Sequence, residues 1–171
     1  MARVQKVERA QKDYPEHGIK KGEPYWWWKF RFGGKHYSKT PPRQSQLTQS
    51  GFLSQVWGLE EQLADMKPEA FEDAEALKDE RDSLAEEIRQ AGEECSEKRD
   101  NMPDSLQDSE TGELLQSRAD ECESFADELE AVDLEDYEGP EPEEGKQKPP
   151  ELTEWLEGKI DELQGCSYGG E

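Results

Sequence analysis

The chain has 171 residues, 31% hydrophobic and 37% charged, with 43 Asp/Glu against 21 Lys/Arg and a formal net charge of −22. That is lean for a globular core of this size, and it argues against an enzyme built around a desolvated pocket. No run approaches the roughly 20 apolar residues of a membrane span, and no apolar stretch follows the N-terminal basic residues as a signal peptide would require.

The charge is divided along the chain. Residues 1–50 hold 11 Lys/Arg against 4 Asp/Glu, a net of +7, whereas residues 51–171 hold 10 against 39, a net of −29. Two surfaces of opposite sign recruit different partners, because each field reaches about a Debye length, roughly 10 Å in moderate salt. Cys95, Cys122 and Cys166 form an odd set without a CxxC spacing. The expectation is reduced thiols in a cytoplasmic protein, without zinc, since His17 and His36 lie far from the cysteines.

Residues 1–16 place Val4 and Val7 among charges and stop at Pro15. They read as a basic arm, either a short helix or a mobile tail. Residues 17–43 read as a β-hairpin module. The run YWWWKFRF at 25–32 suits a pleated surface, and Gly33-Gly34 supplies a two-residue turn before KHYSK. That turn would set Phe30 opposite Tyr37 and Arg31 opposite His36. One face would then carry Trp26, Trp28, Phe30, Phe32 and Tyr37 as core, the other Tyr25, Trp27, Lys29, Arg31, His36 and Ser38. A further strand around Gly18–Lys20, turning at Lys21-Gly22, would complete a three-stranded sheet.

Cations on a sheet neutralise phosphates, and aromatic rings stack on bases. The candidate nucleic-acid contacts, for DNA or RNA, are therefore Tyr25, Trp27, Lys29, Arg31, Lys35, His36 and Lys39.

The segment Gly18-Ile19-Lys20-Lys21-Gly22, followed by Trp28 to Thr40 (WKFRFGGKHYSKT), resembles the three-stranded, AP2-like arm-binding domain at the N-terminus of phage and transposon tyrosine integrases. The resemblance implies a sheet lying in a DNA major groove, with Lys29, Arg31, Lys35, His36 and Lys39 at the matching positions. It covers about a seventh of the chain. Nothing after Thr40 looks like a recombinase domain, so recombinase activity is not implied. The whole chain looks like a small phage or prophage accessory protein, acting in the host cytoplasm.

Residues 44–133 read as an acidic helical segment. Phe52, Val56, Leu59, Leu63 and Met66 recur at steps of 4, 3, 4 and 3, with Trp57 or Phe52 expected to fold back on the hairpin. After Pro68 a second seam runs through Ala74, Leu77, Arg81, Leu84, Ile88, Ala91 and Cys95. A polar break near 103–112 leads into Leu115, Arg118, Cys122, Phe125, Leu129 and Val132. Matching seams around a break predict an antiparallel, coiled-coil-like helical hairpin in which Cys95 meets Cys122.

The outer faces are acidic, and Glu86, Glu87, Glu93 and Glu94 are the candidate contacts to a basic protein partner. Such a face is either plain solvated surface or an imitation of a nucleic-acid backbone. Residues 134–150 read as a disordered linker. Residues 151–164 then form an amphipathic helix whose Trp155, Leu156 and Ile160 dock on the chain itself, on a second copy in a homo-oligomer, or in a partner groove.

The expected fold class is thus α+β, mostly α. No calcium loop, P-loop or dinucleotide glycine pattern is present, and neither catalytic residues nor a cofactor are expected. The expected function is non-enzymatic binding, by a basic aromatic sheet for nucleic acid and acidic helices for protein. The alternatives are a DNA-mimic inhibitor of a nucleic-acid-handling enzyme and a structural adaptor.

Overall fold

The computed structural model describes residues 2–140, 142 and 148–170. It is an α+β protein, mostly α: a three-stranded antiparallel sheet and five α-helices among the described residues. The strands are β1 (Gln5–Val7), β2 (Tyr25–Lys29) and β3 (Lys35–Ser38), in that spatial order. The helices are α1 (Gly51–Asp65), α2 (Ala74–Asp100), α3 (Asp104–Gln107), α4 (Glu110–Ala131) and α5 (Pro150–Gln164). Among the described residues no helix is long and apolar enough to cross a membrane. Two compact units divide between Gly58 and Leu59. The division of charge falls at the same place, since residues 51–58 carry none.

In the first unit the sheet departs from its expected form in two ways. The third strand comes from the presumed arm: Gln5 pairs with Trp27 and Val7 with Tyr25. The expected strand at Gly18–Lys20 shrinks to one bridge, Tyr14 with Ile19. A 3₁₀ turn at Pro15–His17 ends on Gly18 in the left-handed region (φ 66°), a bend that a continuing strand cannot follow. Ile19 instead turns inward and joins Ala10 and Tyr25 in a small buried cluster, with Val7, Tyr14, Trp27 and Tyr37 packed around it.

The hairpin register is also shifted. Lys29 pairs with Lys35 and Trp27 with Tyr37, so the loop is the five residues Phe30 to Gly34 rather than Gly33-Gly34 alone. Gly33 takes φ 154° within it, which L side chains rarely adopt. An odd shift in register exchanges the two faces of a strand. Tyr37 therefore leaves the Trp26/Trp28 side for that of Tyr25 and Trp27, where its ring lies 5.1 Å from Tyr14, 5.0 Å from His17 and 6.0 Å from Tyr25. Three ring contacts and a shared apolar cluster outweigh the local preference for a two-residue turn.

The second unit contains the helical hairpin. Asp73 caps α2 by accepting the Ala76 N–H at 2.7 Å, and Ser109 caps α4 by accepting that of Gly112 at 3.3 Å. The polar break is filled by α3. Leu77, Leu84, Ile88, Ala91 and Cys95 of α2 are buried, as are Cys122, Phe125, Ala126 and Leu129 of α4. Gly92 packs against Cys122, where a Cβ would stand 2.9 Å from the Cys122 Cβ and 3.3 Å from the Ala119 carbonyl oxygen, and buried Cys95 one turn on is near enough to act on the Cys122 thiol. The helices thus approach closely where the chain offers a glycine.

Arg81 occupies a seam position and is only 7% exposed. Its Nη1 donates to the carbonyls of Leu129 (3.4 Å), Glu130 (3.2 Å) and Val132 (3.1 Å), while Nε pairs with Asp82 at 2.6 Å. α4 has no basic residue in its last turn. Arg81 supplies from α2 the charge and donors that a helix C-terminus lacks.

At the start of the expected linker the chain is anchored at two points, while residues 135, 136 and 138–140 are exposed. Leu134 is buried, and Asp136 accepts the Trp155 indole N–H at 2.9 Å and pairs with Lys159 at 3.1 Å. These two donors hold the Asp136 carboxyl below its ordinary value. Lys148 donates to the carbonyls of Pro68 and Phe71 just before α5 begins. The rest of the expected linker, 141 and 143–147, lies outside the described residues.

Candidate nucleic-acid interface

The exchange of strand faces relocates the binding surface. Tyr25, expected to be an exposed stacking platform, is only 8% exposed because it belongs to the small core. Trp27 is half-buried, and the Lys35 ammonium sits over its ring at 4.4 Å. The sheet face assigned to nucleic acid is therefore a packed face, and the two rings are withdrawn as base-stacking residues. A run of four consecutive aromatics fits either face, so burial was decided by the neighbours each face finds.

The cations come together at the hairpin loop. Lys29 ends β2, Arg31 lies in the loop and Lys35 opens β3, and all three are exposed. Between them Phe32, expected in the core, is 75% exposed, with the Arg31 guanidinium 5.4 Å from its ring centroid. The Gln49 side chain donates to the Phe32 carbonyl at 2.9 Å and ties the loop to the segment before α1. His36 is exposed and stacks on buried Trp28 at 5.4 Å, with Phe30 edge-on at 5.5 Å. Lys39 is paired with Glu23 at 3.6 Å, which holds it back from the loop cluster. Lys29, Arg31 and Lys35 thus remain one patch, His36 stands on the opposite face of β3 with Trp28, and Phe32 is the member that sequence reasoning misplaced. Its signal was a position next to two glycines, where a chain turns away from the sheet.

The same segment shapes two adjoining clefts. One, of about 490 Å³, is lined by Phe30, Gln44, Leu47, Thr48, Gln49 and Trp57. The other, of about 470 Å³, is lined on the sheet side by Trp28, Phe30, Lys35 and His36. Trp57 thus shares a cleft with Phe30, while Phe52 is half-buried in the first turn of α1.

In the acidic unit Glu86, Glu87, Glu93 and Glu94 are all exposed on α2. Glu94 pairs with Lys98 at 3.2 Å. The acids of α4 are partly neutralised, since Arg89 reaches Asp127 and Glu130 at 2.9 Å and Glu123 at 3.4 Å. This bonding pushes the Glu130 carboxyl below its usual range. The expected partner anchors on α5 are placed differently. Leu156 and Ile160 are buried within the second unit, and only Trp155 of the three keeps a partly open side chain. Burial removes Leu156 and Ile160 as anchors for a separate partner.

Among the described residues no group of three or more His, Cys, Asp or Glu is arranged to hold a metal ion. Comparison of the chain with protein-family models, with curated proteins and with solved structures finds no match.

Proposed function

We propose that this is a non-enzymatic nucleic-acid-binding protein of the cytoplasm, whose contact surface is the β2–β3 loop and the start of β3. The observation that carries this reading is the loop itself. It exposes a phenylalanine between Lys29, Arg31 and Lys35, in a unit whose sequence is net positive. An exposed ring among cations combines base stacking or wedging with neutralisation of phosphates.

The acidic unit repels nucleic acid, which favours the basic loop as the point of approach and leaves the helices for a basic protein partner. Nucleic-acid mimicry is the less favoured reading. Asp79, Asp82, Glu86, Glu93, Glu97 and Asp100 form an exposed stripe on α2. They span about 30 Å at 1.5 Å per residue. That is one charge per roughly 5–6 Å of axis, against about 3.4 Å for one strand of B-DNA.

The test is the double substitution Lys29→Glu with Arg31→Glu in the full chain. Binding of fluorescein-labelled DNA or RNA should fall by more than about tenfold at 100 mM salt, because at least two phosphate contacts are lost and two repulsions gained. Unchanged affinity would exclude the loop as the contact surface.

A further inference from the structure

We infer that the paired clefts beside the hairpin loop take one unstacked nucleotide of a single strand, which makes single-stranded nucleic acid, rather than duplex, the ligand class. The inference rests on the nucleic-acid reading above and deepens it.

The clefts share Phe30 and Thr48 as lining residues, so they adjoin. Their chemistry is divided between them. The first has aromatic walls, Phe30 and Trp57, and the side-chain amides of Gln44 and Gln49. The second is lined by His36 stacked on Trp28 and, from the other face of the strand, by Lys35 and His17. An apolar slot with a few amides suits a base, and an adjoining basic slot suits its phosphate. Each volume falls within the range of small-ligand sites, roughly 300–1,000 Å³.

Three further observations favour an unstacked base. The aromatic rings on the sheet are already occupied: Trp27 by Lys35, Tyr37 by Tyr14 and His17, and Trp28 by His36. Of the other rings, Phe32 is 75% exposed and Phe30 and Trp57 line the first cleft, and a base paired inside a duplex cannot enter a cleft without leaving the stack. The Trp28 indole N–H is also buried without a hydrogen-bond partner, a donor left unsatisfied on a residue that lines the second cleft. Finally, Gln49 joins the cleft rim to the loop through Phe32, so strand capture at the loop and base insertion are coupled.

The experiment titrates the full chain into a labelled 12-nucleotide oligo(dT) and into a 12-base-pair duplex, followed by anisotropy at fixed salt. The expected result is at least tenfold tighter binding of the single strand. Trp57→Leu and Gln44→Ala should each lower single-strand affinity several-fold to tenfold or more, the scale of one lost base contact. Near-ultraviolet circular dichroism, dominated by the tryptophans and tyrosines clustered in the first unit, reports whether each variant is folded. If Trp57→Leu is not, Gln44→Ala decides alone, because its side chain is exposed.

Equal or tighter binding of the duplex would overturn the inference while leaving the nucleic-acid reading intact. So would a single-strand affinity within twofold of wild type in the folded variants. Absence of binding to either probe would overturn both.

Discussion

Removing the Arg81 guanidinium while keeping an apolar stem tests whether α2 caps α4. In Arg81→Met the carbonyls of Leu129, Glu130 and Val132 lose a donor that now lies 3.1–3.4 Å away, in a site where water has little access. A hydrogen bond from a charged group contributes about 1.5–3 kcal/mol net, and the two protons of one nitrogen serve about two acceptors fully. The gross loss is then about 3–5 kcal/mol. Relief of burying the guanidinium charge, its partner Asp82 being exposed, offsets about 1–2 kcal/mol. The net expectation is a loss of about 2–3 kcal/mol. At roughly 4 °C per kcal/mol for a unit of this size, that is a fall of about 10 °C in Tm. Thermal melts of the full chain at 222 nm would read it, with Arg81→Lys losing about half as much and the exposed Glu86→Gln serving as the neutral control. A Tm for Arg81→Met within 2 °C of wild type would refute the capping argument.

Two more predictions concern the second unit. Burial, with smaller contributions from Cys95 and Glu121, pushes the Cys122 thiol up to about 12, and burial likewise raises Cys95. The unfolded thiol ionises near pH 8.5, so the unfolded chain gives up its proton first and stability falls as the pH rises from there toward 12. At pH 10 Cys122 contributes a loss of up to about 2 kcal/mol relative to pH 7. Cys122→Ala should flatten that alkaline slope in urea titrations, whatever its effect at neutral pH. Leu156→Ala on α5 should cost about 2–4 kcal/mol of stability, because the side chain is fully buried in its own unit. A change below 0.5 kcal/mol would mean that α5 is a detachable segment.

The helical parts were legible because seams at a 3.5-residue period leave few alternatives, and α2, α4 and α5 lie where the spacing puts them. Arg81 was visible in the seam as an anomaly. Its purpose was not, because that depends on the C-terminus of another helix lacking its own cap. The sheet was harder to read. Trp26, Trp27 and Trp28 are consecutive and equally apolar, so a period of two has nothing to distinguish, and the face was settled by Tyr14, Ile19 and Ala10, remote in sequence. β1 is three residues with one partly buried side chain, too little pattern to stand out from a basic arm. The loop cations were recognisable as a cluster from sequence. The exposure of Phe32 had one local signal, its place beside Gly33-Gly34, and took its form from the five-residue loop, and with it the shape of the candidate site.

The most direct test of the central claim, that the basic loop binds nucleic acid despite a net charge of −22, is the salt dependence of binding by the full chain. If Lys29, Arg31 and Lys35 meet phosphates, log K should fall against log salt with a slope of about −2 to −3. Between 50 and 200 mM salt that is a loss of roughly 20- to 60-fold. Lys35→Gln should make the slope shallower by about one. A binding constant independent of salt, or no measurable binding at 50 mM, would contradict the account.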